Sequence, residues 1–153
     1  MVQSPPLRTL GPGHPWLISQ PGFYQSPNHF TPISTALLSQ LRNAAQIPVL
    51  PQLIPAVAEL AVATDSPAHH KEMNNAILQY MRSDRAAVRL GAVQCERALT
   101  ERLGEEWLAL LPEMLPFISE ALEDDDEAVE REVQRWVVGI EGILGESLNP
   151  MLQ

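Results

Sequence analysis

The chain has 153 residues, 45% of them hydrophobic, with a net charge of −9 at neutral pH. That is enough for one domain with a sizeable core. No stretch reaches the roughly 18 to 20 apolar residues a membrane-spanning helix needs, the Trp16–Ile18 cluster is too short for a secretory signal, and the expectation is a soluble chain in an intracellular compartment. Residues 1–100 carry seven basic and five acidic side chains and residues 101–153 three and fourteen, about +2 and −11. The acidic half is poorly suited to nucleic acid, whose binding relies on Lys and Arg displacing counterions. The single Cys95 has no partner for an internal disulfide, and without clustered Cys or His it reads as a buried core thiol.

Six of the fourteen prolines fall in the first 27 residues, among Gly11, Gly13 and Gly22. That density prevents continuous helix or sheet pairing, so residues 1–25 read as an irregular head. The head is expected to be irregular or disordered, and if it is ordered, Trp16 and Phe23 in it are read as caps over an exposed apolar end of the domain. A first helix is expected at Thr31 as cap with Pro32 in the first helical position, Ile33, Leu37 and Leu41 inward and Phe30 as a staple. A second runs from about Pro51 to Thr64. Ser66–Pro67 is another cap and proline start, opening a third with Met73, Ala76, Ile77 and Tyr80 on its stripe.

The fourth helix is expected from after Ser83 to Leu103, with Gly104 free to take the left-handed conformation that ends it. It is apolar on more than one side, through Val88, Ala92, Cys95 and Leu99 and through Leu90 and Val93, as in a helix packed between neighbours. The fifth, Glu105 to Leu122, contains Pro112 and Pro116 and should break near Leu111. In the sixth, Asp124 and Glu127 have capping-box spacing, and Val129, Val133, Trp136, Ile140 and Leu144 form the stripe before Gly145.

These elements repeat. LPQLIPAVAEL at Leu50–Leu60 returns as LPEMLPFISEA at Leu111–Ala121, 61 residues on, and DRAAVRLGA at Asp84–Ala92 matches DEAVEREV at Asp126–Val133 at an offset of 41 after one slip. Self-similarity at about forty residues in helical units marks an α-solenoid, whose extended surface binds partners. Six helices in three antiparallel pairs are expected, over residues 26–148, with 149–153 as a tail.

The chemistry-bearing residues are sparse. His69, His70 and Glu72 lack the spacing of a metal set, because adjacent helical side chains diverge by about 100 degrees. His14 and His29 stand apart. No nucleophile, base and orienting group are recognisably spaced, so neither catalysis nor a metal, cofactor or small-molecule substrate is expected. Arg82, Arg85 and Arg89, at i, i+3 and i+7, are placed on one face near the start of helix four. They suit RNA phosphate or an acidic partner, and more readily the acids and helix ends of a neighbouring repeat. Glu123, Asp124, Asp125, Asp126 and Glu127 form an acidic surface, which as five acids at a helix start is ordinarily a solvated one. Trp107 and Trp136, each within an apolar stripe, read as core.

The block LTERLGEEWLALLPEMLPFISEALEDDDEAVE, Leu99–Glu130, and the ending LGESL, Leu144–Leu148, resemble the C-terminal end of the very large HEAT-repeat scaffold protein of the small-subunit processome. The similarity runs back to about Phe30, over roughly four fifths of the chain, and residues before about Phe23 match nothing recognisable. Members of that family are far longer. The resemblance implies a HEAT-like domain of a non-enzymatic subunit, nuclear and nucleolar, held by other processome proteins and associated with pre-rRNA and small nucleolar RNA, with RNA contact indirect. Gly91, where Ala would be the better helix former, departs from expectation. Two other readings stay open: a generic solenoid adaptor unrelated to ribosome assembly, and a direct RNA binder relying on the arginines alone.

Overall fold

The computed structural model describes residues 26–43 and 50–152. Residues 1–25, read from the sequence as a head and including Trp16 and Phe23, lie outside the described residues. Among the described residues the fold is all-α, with eight helices and one 3-10 segment.

The first helix starts earlier than the sequence suggests. α1 spans Pro27–Leu38, capped by Ser26, whose Oγ accepts from the Asn28 amide at 3.3 Å. Ser26–Pro27 offers the same cap and proline start as Thr31–Pro32 and wins, leaving Pro32 inside the helix. Phe30 is fully buried and lies flat on the His69 ring, centroids 4.1 Å apart. A 3-10 segment, Ser39–Asn43, follows α1.

α2 (Leu50–Thr64) and α3 (Pro67–Tyr80) meet antiparallel across a tight turn at Asp65, the non-glycine residue with φ of +44°. Thr64 Oγ1 lies 2.6 Å from His69 Nδ1, and the Ala61 carbonyl 2.8 Å from His70 Nε2. Ser66 caps α3 as expected, accepting from the His69 amide.

α4 (Ala86–Leu103) begins after Arg85 and ends at Gly104, whose φ of +59° and ψ of −130° put it in a region open to glycine rather than in the left-handed helical well. The expected fifth helix is two. α5 (Glu105–Leu108) ends in a turn at Ala109 and Leu110, and α6 (Leu111–Ala121) starts anew, so Pro112 occupies its first turn, where a missing amide proton costs nothing. α7 (Glu127–Leu144) is capped by Asp126, not Asp124: Asp126 Oδ1 accepts from the Ala128 and Val129 amides at 3.0 and 3.2 Å. Gly145 closes α7 with φ of +78° and ψ of 15°, a left-handed cap. Residues read as a tail form one further turn, α8 (Asn149–Leu152), packed against α6.

The helices stack in two layers. α2, α4 and α7 lie side by side in one, α1, α3 and α6 in the other, and the pairs α1–α2, α3–α4 and α6–α7 join them. Within the first layer neighbours run parallel: Glu59 meets Arg102, Asp124 meets Arg89, and Trp136 meets Thr100, at sequence separations of 43, 35 and 36 residues. That spacing is the forty-residue repeat made physical, since each unit contacts the next at nearly the same place. α4 is the middle helix, which explains its two apolar sides. Gly91 sits where α4 crosses the preceding unit: a Cβ there would lie 3.0 Å from a Leu50 methyl and 3.1 Å from one of Leu41. Close packing accounts for the glycine where helix propensity alone favours alanine.

Candidate functional site

Two features carry polar chemistry, a seam of ion pairs between the last two repeats and a polar line inside the core. The seam brings one of the three arginines, Arg89, to Asp124 and Asp125 of the acidic run. Arg82 lies in the turn after α3 and Arg85 is the cap of α4, so the three arginines do not share one helical face; the helix starts at Ala86, after two of them. Each goes to a different partner. Arg82 pairs with Glu120 at 3.1 Å on the surface and lays its guanidinium over the Phe117 ring, 4.0 Å from the centroid. Arg85 donates to the Arg42 carbonyl at 3.2 Å. Arg89 is held most tightly, donating from Nε and Nη2 to Asp124 at 2.8 and 3.0 Å and from Nη1 to the Ser83 carbonyl at 3.0 Å.

The acidic run divides accordingly. Burial pushes the Asp124 carboxyl up, but hydrogen bonds from Arg89 and from the Asp126 amide outweigh it and hold the group below its ordinary range. The Arg89 guanidinium, bonded to Asp124, is raised in turn. Asp126 is spent as the α7 cap. What faces outward is Glu123, Asp125, 98% exposed, and Glu127, whose carboxylate pairs with Arg131. A surface pair such as Arg82–Glu120 contributes little, about 0 to 1 kcal/mol, whereas the forked, largely shielded Arg89–Asp124 pair fixes how one repeat sits on the next.

The second feature was not legible from motifs. Glu96, fully buried on α4, accepts from the Trp107 indole at 3.0 Å. One turn on, Thr100 donates to the Glu96 carbonyl at 2.8 Å and accepts from the Trp136 indole at 2.9 Å. Glu132 on α7, also buried, is neutralised by Arg97 and by Arg135. Trp107 and Trp136 are fully buried, as their stripes predicted, yet each also spends its one donor on α4. His69 and His70 are core residues too, taken up by Thr64 and the Ala61 carbonyl. The available signal was an acid within a helix apolar on several sides, which demands a buried partner.

Neither feature is built for catalysis. The seam binds its own charges, and the buried line has no open face for a substrate. A groove of about 470 Å³ between α2 and α4 is lined by Leu50, Pro51, Ile54 and Ala98, with Gln94, Arg97 and Glu101 as its polar groups, and Arg97 is held by Glu132 and Glu101. It offers a small ligand no convergent set of unpaired polar groups. Among the described residues no group of His, Cys, Asp and Glu has the arrangement of a metal site, and no helix is long and apolar enough to cross a membrane.

No family model matches the sequence. Individual proteins do. The chain is 55% identical over 147 residues to "U3 small nucleolar RNA-associated protein 10" of Chaetomium globosum, and 57% identical over 145 and 135 residues to proteins of the same name from Coccidioides immitis and Neurospora crassa. These alignments cover 96%, 87% and 88% of the chain. The first share is too large to leave residues 1–22 out, so the kinship extends into the head, where the sequence by itself suggests none. The chain spans about 8% of the length of each of these relatives.

Proposed function

The chain belongs to the family of U3 small nucleolar RNA-associated protein 10, and from that membership we propose that it is a non-enzymatic scaffold element of the small-subunit processome. In this reading it supports pre-rRNA processing and small ribosomal subunit biogenesis in the nucleolus. Its own contribution is a rigid stack of helical pairs that presents side chains to neighbouring proteins, while pre-rRNA and the U3 small nucleolar RNA are reached through those proteins.

The observation that carries the reading is the kinship over nearly the whole chain, at 55% identity across 96% of it. The distribution of charge supports the preference for protein partners. Arg89 is committed to Asp124, Arg97 and Arg135 to Glu132, and Arg102 to Glu59. Cations already paired with carboxylates of the same chain release few counterions on meeting phosphate. The test is to express the tagged chain in Neurospora crassa and purify it with and without ribonuclease treatment. Pre-ribosomal proteins that remain bound after ribonuclease agree with the proposal; loss of every partner on ribonuclease treatment, or recovery of none, contradicts it.

A further inference from the structure

The interior of the α3–α4–α5 corner holds a carboxyl group that makes no ion pair with a cation among the described residues. Glu96 is fully buried. From α5 it meets the Trp107 indole, and from α3 the end of the Asn74 side chain, itself fully buried. Of the other titratable groups on the elements around it, Lys71, Glu105 and Glu106 are exposed and the buried ones are engaged elsewhere or apolar in effect. His70 on α3, edge-on to Trp107 at 5.8 Å, has its Nε2 on the Ala61 carbonyl of α2, and His69 faces Thr64. On α4, Cys95 is a buried thiol and Arg97 is turned to Glu132 and Glu101. Across α7, Glu132 is satisfied by Arg97 and Arg135.

An ionised carboxylate placed there would be desolvated and unpaired, a state proteins avoid by neutralising the group. A partner for the neutral form is at hand. The terminal amide atom of Asn74 nearest Glu96 lies 2.6 Å from Oε2 and 3.2 Å from Oε1. An amide can be turned so that either nitrogen or oxygen occupies that position. Nitrogen there donates to a carboxylate and oxygen there accepts from a carboxylic acid, so the protonation state of Glu96 and the orientation of the Asn74 amide are set together.

We propose that Glu96 is carried as a neutral carboxylic acid, its Oε2–H donating to Asn74 Oδ1 and its Oε1 accepting from Trp107, so that one buried proton joins α3, α4 and α5. When that proton leaves to solvent, the carboxylate remains in the core and the Asn74 amide must turn to offer nitrogen. The corner thus ties the stability of the fold to pH. Burial, partly offset by the Trp107 hydrogen bond, pushes the Glu96 carboxyl up to about 8 from an unfolded value near 4.5. Between those values the folded chain holds a proton the unfolded chain lacks. The linkage sign is therefore a stability that falls as pH rises through this window.

The experiment is a carbon-13 titration of the Glu96 carboxyl in the full 153-residue chain, with urea denaturation of the wild type and Glu96→Gln at several pH values. The neutral amide of Glu96→Gln can donate to Asn74 and accept from Trp107 with no titration. The expected result is a protonated Glu96 at pH 7 and a wild-type loss of stability on alkalinisation that Glu96→Gln abolishes. A Glu96 signal already ionised at pH 7, or a pH dependence identical in the two proteins, overturns the proposal. If Glu96→Gln does not fold, the carboxyl titration of the wild type decides alone.

Discussion

Trp136 of α7 donates its indole N–H to Oγ1 of Thr100 on α4, 2.9 Å away and 36 residues earlier in the chain. Both residues are buried, and the contact repeats one turn along α4, where Trp107 reaches Glu96. Two tryptophans thus read successive turns of one central helix, and each couples apolar burial to one directional bond. This fixes rotation as well as distance between repeats.

Trp136→Ala should destabilise the chain by about 3 to 5 kcal/mol, the usual cost of emptying a large aromatic site. Since domains are stable by only about 5 to 15 kcal/mol, the variant should be close to unfolding. Trp136→Phe keeps much of the apolar contact but leaves Thr100 without its donor, and should cost less. Urea denaturation followed by circular dichroism checks the order. Equal midpoints for Trp136→Ala and wild type would contradict it.

Arg89→Ala should cost about 1 to 3 kcal/mol, because it strips a shielded carboxylate of its two strongest bonds. The pH dependence has a definite sign. Asp124 is held below its ordinary value of 3.8, so it stabilises the fold above that value and the contribution disappears as pH falls through the lower folded value. Arg89→Ala should therefore flatten the acid limb of the stability curve. Denaturation midpoints from about pH 2 to 5 measure this, and an unchanged acid limb would place the pair's effect elsewhere.

Much of the fold could be read from the residues, for reasons that also show where reading failed. Helix period and the Ser66–Pro67 start depend on short-range chemistry, and they appear where expected. The break before α6 follows likewise from where Pro112 can sit. Ser26–Pro27 and Thr31–Pro32 are locally equivalent starts, and the choice between them is made by what Phe30 packs against, His69, nearly forty residues away. The same holds at α7: Asp124 has the spacing of a cap, but Arg89 claims its carboxylate, and the role passes to Asp126. The arginines and the acidic run were each visible in the sequence; that three of these residues, Arg89, Asp124 and Asp125, meet in one seam depends on the stacking of repeats. The buried polar line on Glu96 and Thr100 has no periodic signature, because an acid in a core looks like a surface acid until its neighbours are known.

Cys95 should be inert in the native chain. Burial, with a smaller push from Glu96, drives its thiol up to about 12, and the thiolate is the reactive form. Ellman's reagent at neutral pH should label it only on the timescale of unfolding. Labelling as rapid in native as in denatured protein would show that the face of α4 carrying Val88, Ala92 and Leu99 is open to solvent.

The proposed scaffold role requires that the chain itself bind RNA weakly, and a titration of the purified protein with structured pre-rRNA pieces tests this most directly. The net charge is −9, and of the three arginines nearest the start of α4, Arg89 is tied to Asp124 and Arg82 to Glu120. Even three free phosphate contacts to single-stranded RNA would give a salt slope of only about −2. At about 0.15 M salt, where the Debye length is near 8 Å, the account predicts no saturable binding below micromolar concentration. Submicromolar affinity that is lost in an Arg82→Ala, Arg85→Ala and Arg89→Ala triple variant would contradict it and make the seam an RNA-binding surface.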